Sequence, residues 1–483
     1  MRIHQFIYVL AVLVLSCSRP NVNDGSDIHF SIGDGSNLGI PTELIYCNNA
    51  YHLFYQTNNA SGNISWGHSS STDLTSWEHL PFLNIKGDGS VVVDYNNTTG
   101  IISDTAPMIA ISGDTESKDK QAVNISYSTD NGLSWKDHPE NPMIVNDGSY
   151  PINDPKVFWH EETQRWIMLV IAGYNIQFYA SNDLINWEFL SEYGNEIYER
   201  KGEWTNIDFF PVNVEESSEK KWVLFITGDT GAPNASQGTR YFTGDFDGFI
   251  FTAHKNIGQW LDYGTDTYLG VGNYSYHAEK DCAILMGCMK NSNTDSYSYT
   301  VPRSLFLTKE NNQYYLISKP TFAFKNDKIE GKVEKGKEFT EEVLFDNDVK
   351  LPTEINLTFD VYNRKYLDFA EVFGVILKNS RGDKLIVGYH NLRRYFFIAL
   401  QNSNTSDAQS QIYYAPTIVN AKELDVKVIL TNNTVELFAL NGFASMTKKF
   451  DSKIDFNQIY LFAEGGNVVF NGGSVSNIET KAH

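Results

Sequence analysis

Ser71-Thr72-Asp73-Leu74-Thr75-Ser76-Trp77 returns as Ser128-Thr129-Asp130-Asn131-Gly132-Leu133-Ser134-Trp135, and again as Ser181-Asn182-Asp183-Leu184-Ile185-Asn186-Trp187. Each copy follows a strand-like run, makes an Asp-led turn and ends on a Trp that can plug between sheets. The tryptophans lie 58 and 52 residues apart. A period near 50 residues, with room for four strands per unit, is the spacing of a β-propeller. Five blades at that period occupy about 270 residues and end near Ser304-Leu305-Phe306-Leu307.

Outward from the repeat the texture stays the same. Short apolar and aromatic runs such as Tyr51-His52-Leu53-Phe54-Tyr55, Trp166-Ile167-Met168-Leu169-Val170 and Trp222-Val223-Leu224-Phe225-Ile226 are bounded by Asn, Gly, Asp and Ser. Each has the length of one strand, and helical periodicity is scarce, so the chain reads as all-β. Lys325 to Lys337 is lysine-rich and apolar-poor, as a linker or an exposed edge would be. From Phe339 to Ile478 strand-like runs alternate with Asn/Asp/Gly turns, the pattern of a β-sandwich. The predicted organisation is a five-bladed β-propeller over 28–320, followed by a C-terminal β-sandwich over 338–480.

The chain has 483 residues and a formal net charge of −21. Such an acidic surface repels nucleic-acid phosphates and anionic headgroups and suits a neutral partner. Aromatics at 14% would serve sugar stacking, although sheet cores account for most of them. Near the N-terminus, Arg2 and His4 precede an apolar run from Phe6 to Leu15, ending in Val14-Leu15-Ser16-Cys17. The run is too short to span a membrane and reads as a signal-peptide core. A small residue before Cys17 resembles a bacterial lipobox, which implies cleavage before Cys17 and lipid attachment to it. The alternative is an ordinary signal peptide with an incidental Cys. Residues 1–17 are then the leader and 18–27 a polar tether, on a protein lipid-anchored at the outer-membrane surface or periplasmic face of a bacterium. Cys47, Cys282 and Cys288 match no metal motif and are read as core thiols or at most one disulfide. No metal or other cofactor is indicated.

Several ordered motifs carry a resemblance. Tyr51-His52-Leu53-Phe54-Tyr55-Gln56, Trp66-Gly67-His68, Asp154-Pro155-Lys156-Val157-Phe158-Trp159, Gly231-Ala232-Pro233-Asn234, Tyr241 to Gly248 and Asp262-Tyr263-Gly264 resemble glycoside hydrolase family 32, which holds invertases, inulinases and levanases. The resemblance implies a propeller joined to a sandwich, in agreement with the repeat. It also implies a retaining fructosidase: a carboxylate nucleophile and a protonated carboxyl about 5–5.5 Å apart, with a further Asp stabilising the transition state.

Counted back from Tyr51 without a gap, the family's Trp-Met-Asn-Asp-Pro-Asn-Gly falls on Asn37-Leu38-Gly39-Ile40-Pro41-Thr42-Glu43, so Ile40 stands at the nucleophile. A gapped alternative uses Asp34. The family's acid/base Glu falls on Thr205, in Trp204-Thr205-Asn206-Ile207-Asp208. A threonine hydroxyl is too weak an acid to protonate a leaving alcohol near neutral pH. Asp154 keeps the stabiliser position, but the Arg usual before it is Asn153, and Gly87-Asp88-Gly89-Ser90 replaces Phe-Ser-Gly-Ser. Glu203, two strand positions from Thr205, is a candidate displaced acid. Gln56, Trp66, Ser90, Asn153, Asp154 and Asp208 are the candidate sugar contacts, with a blade-core role as the competing reading for Trp66.

Three functions follow from these residues. The first is a non-catalytic lipoprotein that binds a fructan or another neutral oligo- or polysaccharide. The second is an active glycoside hydrolase using relocated carboxylates such as Glu203, Asp88, Asp34 or Asp208. The third is a platform for a protein partner. On the first reading the membrane is met only through the lipid, and nucleic acid is not a partner.

Overall fold

The computed structural model describes residues 28–478 apart from 33–36, 59–63, 115–121, 146–151, 198–201, 235–236, 275–281, 291–295, 322–325, 331–332, 334, 362–368, 402–410, 418–420 and 451–454. Cys17 and Asp34 lie outside the described residues.

Five antiparallel sheets follow one another along the chain. Blade I runs Leu38–Cys47, Ala50–Asn58, Ile64–Ser71 and Glu78–Leu83 in that order. Blades II to V begin with Gly89–Val93, Ile152–His160, Trp204–Asn213 and Thr267–Tyr274. Each of these first strands packs against those of the two adjacent blades, and that of blade V returns to blade I, so the ring closes around an axis. Apolar clusters lie between neighbouring blades, such as Phe178, Phe209 and Phe246 between blades III and IV.

The repeat is the turn between the third and fourth strands of blades I, II and III. In blade III, Ser181 Oγ accepts from the Asp183 N–H at 3.1 Å. Asp183 Oδ1 accepts from the N–H groups of Ile185 and Asn186 at 2.9 and 2.7 Å. The Trp187 indole N–H then donates to Leu184 O at 3.0 Å. Trp77 and Trp135 donate in the same way to Leu74 O and Gly132 O. The turn needs a residue at positive φ, which is Leu74 (63°), Gly132 (82°) and Leu184 (64°) in the three copies. A left-handed leucine is unfavourable by about 1 kcal/mol or more, offset here by full burial of Leu184. Ser, Asp and Trp recur because each satisfies a backbone group that the tight turn leaves open.

The C-terminal region is a sandwich of a seven-stranded and a six-stranded sheet around one large apolar core, which includes Phe345, Phe359, Phe396 and Phe470. Asn326–Glu330 pairs with Val468–Ile478, so part of the lysine-rich stretch forms an edge strand. Cys47, Cys282 and Cys288 are buried free thiols.

The two regions meet through a buried ionic knot. Arg303, 1% exposed, donates to Asp262 Oδ2 at 2.9 Å, Glu436 Oε2 at 2.6 Å and Thr447 Oγ1 at 2.7 Å. Glu436 Oε1 also takes the Val301 N–H at 3.0 Å and the His29 ring at 2.9 Å. Asp262-Tyr263-Gly264 earns its place here: Asp262 caps Thr447 N at 2.9 Å. A Cβ on Gly264 would sit 1.8 Å from Thr447 O, an approach only glycine permits. Burial pushes the Glu436 carboxyl up, but Arg303 and His29 outweigh it and hold the group below its ordinary range. Removing one partner of such a knot leaves an uncompensated buried charge, worth about 3–5 kcal/mol. Glu436→Gln is therefore expected to lower stability by about that amount in denaturant titrations. An unchanged midpoint would mean the knot contributes nothing net.

Candidate functional site

Four of the five first strands break their ladder near their starting ends. The irregularities fall between Leu38 and Glu43, between Asn153 and Lys156, between Trp204 and Asn206, and between Tyr268 and Gly270. Bulges re-aim side chains and collect next to functional sites, and these bracket Ile40, Asp154 and Thr205. Cross-links between strands show that equal levels face each other around the axis. Asp154 Oδ2 accepts from the Ile207 N–H at 2.6 Å, and Ser90 Oγ accepts from the Val157 N–H at 3.0 Å. The starting ends of the first strands thus converge on one mouth.

At that mouth Asp154 is 3% exposed and sits at φ 51°, an uncommon conformation for a residue other than glycine that Asp and Asn tolerate best. Burial raises its carboxyl well above the ordinary range, and the neighbouring charge of Asp88 raises it further, against the pull of Lys156 and the Ile207 N–H. Asp88 is raised in turn by burial, with the hydrogen bond from Gln56 opposing. Both acidic groups at the mouth are thereby shifted toward the protonated form.

One level further along the axis lies a buried ionic trio. Lys156 Nζ donates to Glu43 Oε2 at 2.9 Å and to Thr42 O at 3.4 Å, and stands 3.7 Å from Asp208 Oδ1. All three side chains are under a tenth exposed. The two carboxylates keep Lys156 charged and raise its pKa against burial. Burial raises Glu43 to about 7, and Asp208 adds to this while Lys156 opposes it.

The remaining candidates are distributed as follows. Ile40 is half-buried against the cluster of Leu38, Tyr55, Cys288 and Tyr299. Its strand is pinned by the Tyr299 hydroxyl donating to Gly39 O at 2.9 Å. Thr205 is exposed in the blade IV bulge. That bulge breaks the two-residue alternation on which a common face for Glu203 and Thr205 depends. Glu203 is exposed, with its N–H bound to Asp229 Oδ1 at 2.8 Å. Trp66 is wholly buried in the blade I–II core and donates to Gly87 O at 2.8 Å. Ser90 is also wholly buried. Asn153 lies on the blade III first strand. Asp208 faces Lys156 and accepts from the Phe209 N–H at 2.9 Å. Among the described residues no group of three or more His, Cys, Asp or Glu is arranged to hold a metal.

This is the architecture of the propeller-and-sandwich glycosidases, with an acidic mouth on the axis. Residues 37–320 match the model of the glycosyl hydrolases family 32 N-terminal domain, and 323–480 that of the family 32 C-terminal domain. The chain belongs to glycoside hydrolase family 32. It is 31% identical over 477 residues to a levanbiose-producing levanase of Bacillus subtilis, covering 91% of this chain and 88% of that protein. It is 28% identical over 487 residues to an extracellular exo-inulinase of Aspergillus niger, covering 88% and 89%. A levanase of Bacillus subtilis is 36% identical over 277 residues, and the match spans 55% of this chain and 40% of that protein. The exo-inulinase crystal structure from Aspergillus awamori superposes with a TM-score of 0.79 at 25% identity, over 94% of this chain and 98% of that one. The fructofuranosidase of Schwanniomyces occidentalis complexed with fructose shares the fold, with a TM-score of 0.81 at 23% identity.

Glu43 and Lys156 are the site residues that motif matching passed over. Lys156 lay inside a matched motif and was read as scaffold. Glu43 stands where the family motif has Gly, and an acid replacing a glycine on a first strand was the available signal. The raised Glu43 has a stability consequence whose sign is set by linkage. Between its ordinary 4.5 and about 7, the unfolded chain releases this proton first, so the contribution of Glu43 to stability falls as pH rises. Denaturation midpoints of wild type and Glu43→Gln at pH 5 and pH 7.5 are expected to show a smaller loss with pH in the variant. Equal losses would place Glu43 outside this linkage.

Proposed function

We propose that this protein is a lipid-anchored envelope protein of a bacterium that binds a fructan or another neutral glycan without the family's retaining hydrolysis. The observation that carries the reading is the pair Ile40 and Thr205. Ile40 packs into an apolar cluster and has no lone pair to attack an anomeric carbon. Thr205 cannot act as the acid. Catalytic groups that work as a unit fail together, so losing two leaves little of the rate. The mouth keeps what recognition needs: Asp154 and Asp88, both raised toward the protonated form, can donate to sugar hydroxyls as well as accept, and Gln56 orients Asp88. The tether and lipid at Cys17 would present this mouth outside the membrane.

A second reading has a specific observation behind it. The Asp88 charge adds to the rise of the Asp154 carboxyl, and a carboxyl pair is the minimal equipment of a glycosidase. Calorimetry with levan, inulin and sucrose, run beside reducing-sugar release on the same glycans, separates the two. Saturable binding without sugar release is expected, with affinity falling about tenfold in Asp154→Asn, in line with a lost charge-assisted or buried hydrogen bond. Sugar release abolished by Asp88→Asn or Asp154→Asn would overturn the binding reading. Reinstalling both carboxylates, Ile40→Asp with Thr205→Glu, is expected to bring measurable fructose release from a glycan that the wild type only binds. A double variant that binds but stays inert would locate the block elsewhere in the pocket.

A further inference from the structure

A well-formed cavity lies at the other end of the axis. It encloses about 570 Å³ between the finishing halves of the first strands of blades I to IV, within the roughly 300–1,000 Å³ range of small-molecule pockets. Its floor is the trio of Glu43, Lys156 and Asp208, and its outer wall includes Tyr46, Tyr95 and Trp159. Tyr95 is 51% exposed at the entrance. Because Lys156 and its two carboxylates stand between this cavity and the level of Asp154, a ligand here is separate from a glycan at the opposite mouth.

Charge and surface chemistry say what fits. Glu43, Asp208 and Glu161 line the cavity beside one cation, Lys156, so its ionisable lining is acid-rich, with Glu161 on the exposed side. The Trp159 indole N–H is taken by Glu161 Oε2 at 2.9 Å, which leaves that ring its π system and no spare donor. Aromatic faces beside desolvated carboxylates attract a cation more strongly than a neutral guest.

We propose that this cavity is a second ligand site that takes a small organic cation, with Glu43 as its anionic anchor and Tyr46, Tyr95 and Trp159 as its aromatic wall. The cation stands beside Glu43 and balances the charge that this carboxyl gains when it ionises. Glu43 faces Lys156 and Asp208 from blades III and IV, and its carboxyl is raised to about 7 by burial. Binding a cation therefore draws it into the ionised form, so affinity rises with pH through that value.

Calorimetric titration of the full chain with choline tests this, with its neutral isostere 3,3-dimethylbutan-1-ol and with fructose as controls. Choline is expected to bind at one site, at least tenfold more tightly than the isostere and more tightly at pH 8 than at pH 6. Glu43→Gln is expected to weaken choline at least tenfold and Tyr95→Ala at least threefold, while Asp154→Asn leaves it unchanged. The insensitivity to Asp154 distinguishes this site from the glycan mouth. No saturable choline binding, equal affinity for the isostere, or a preference for fructose that Tyr95→Ala abolishes would each overturn the proposal. Tyr95 is at the surface, so its variant decides the matter even where Glu43→Gln does not fold.

Discussion

A single buried ammonium group organises the axis of this propeller. Lys156 reaches from blade III to Glu43 on blade I and to Asp208 on blade IV, three strands far apart in sequence that no ladder hydrogen bond joins. A lone ammonium could not stay charged at that depth, and two lone carboxylates could not both stay ionised. Each charge is tolerable because the others are present. The cluster also lines the aromatic-walled cavity, one level beyond Asp154.

At the mouth the backbone keeps one pattern at the three positions that the family motifs pick out. The bulges that re-aim side chains persist at Ile40, Asp154 and Thr205, and Asp154 keeps its left-handed backbone and its bond to Ile207. At two of the three places the side chains, Ile40 and Thr205, carry no carboxyl. An isoleucine at the first gains apolar contact with the blade I–V cluster, and a threonine at the second is accommodated at the surface. Both replacements suit local packing, so nothing in the fold opposes them.

Joining the propeller to the sandwich follows the same electrostatic logic. Arg303 is held by Asp262 from the blade IV–V connection and Glu436 from the sandwich, with His29 closing the set from the chain's beginning. A buried guanidinium presents its donors in a fixed fork, so it sets direction as well as attraction. The docking geometry of the two regions is thereby defined at one point inside an otherwise apolar contact that includes Val301, Ile429 and Phe438.

Local patterns made much of this legible in advance. The Ser-x-Asp…Trp turn announces itself because every polar atom in it serves a backbone group within a few residues, and the blades follow from its period. The substitutions at positions 40 and 205 were equally readable, since an ungapped motif locates them. Other features were not. Glu203 looked like a neighbour of Thr205 by alternation, and the blade IV bulge, which no residue type there signals, breaks that alternation. Trp66 and Ser90 were named as sugar contacts, and each is enclosed within the blades. The sequence by itself determined the strands, the turns, the family and the side chains at the motif positions, because these depend on residue type and short-range spacing. Only the tertiary structure decided that Glu43, Lys156 and Asp208 meet, that Asp88 perturbs Asp154, and that a cavity lies beyond the ionic trio. Those facts depend on how five strands, each tens of residues from the next, are brought level around one axis, and on the low dielectric that surrounds charges once they are there.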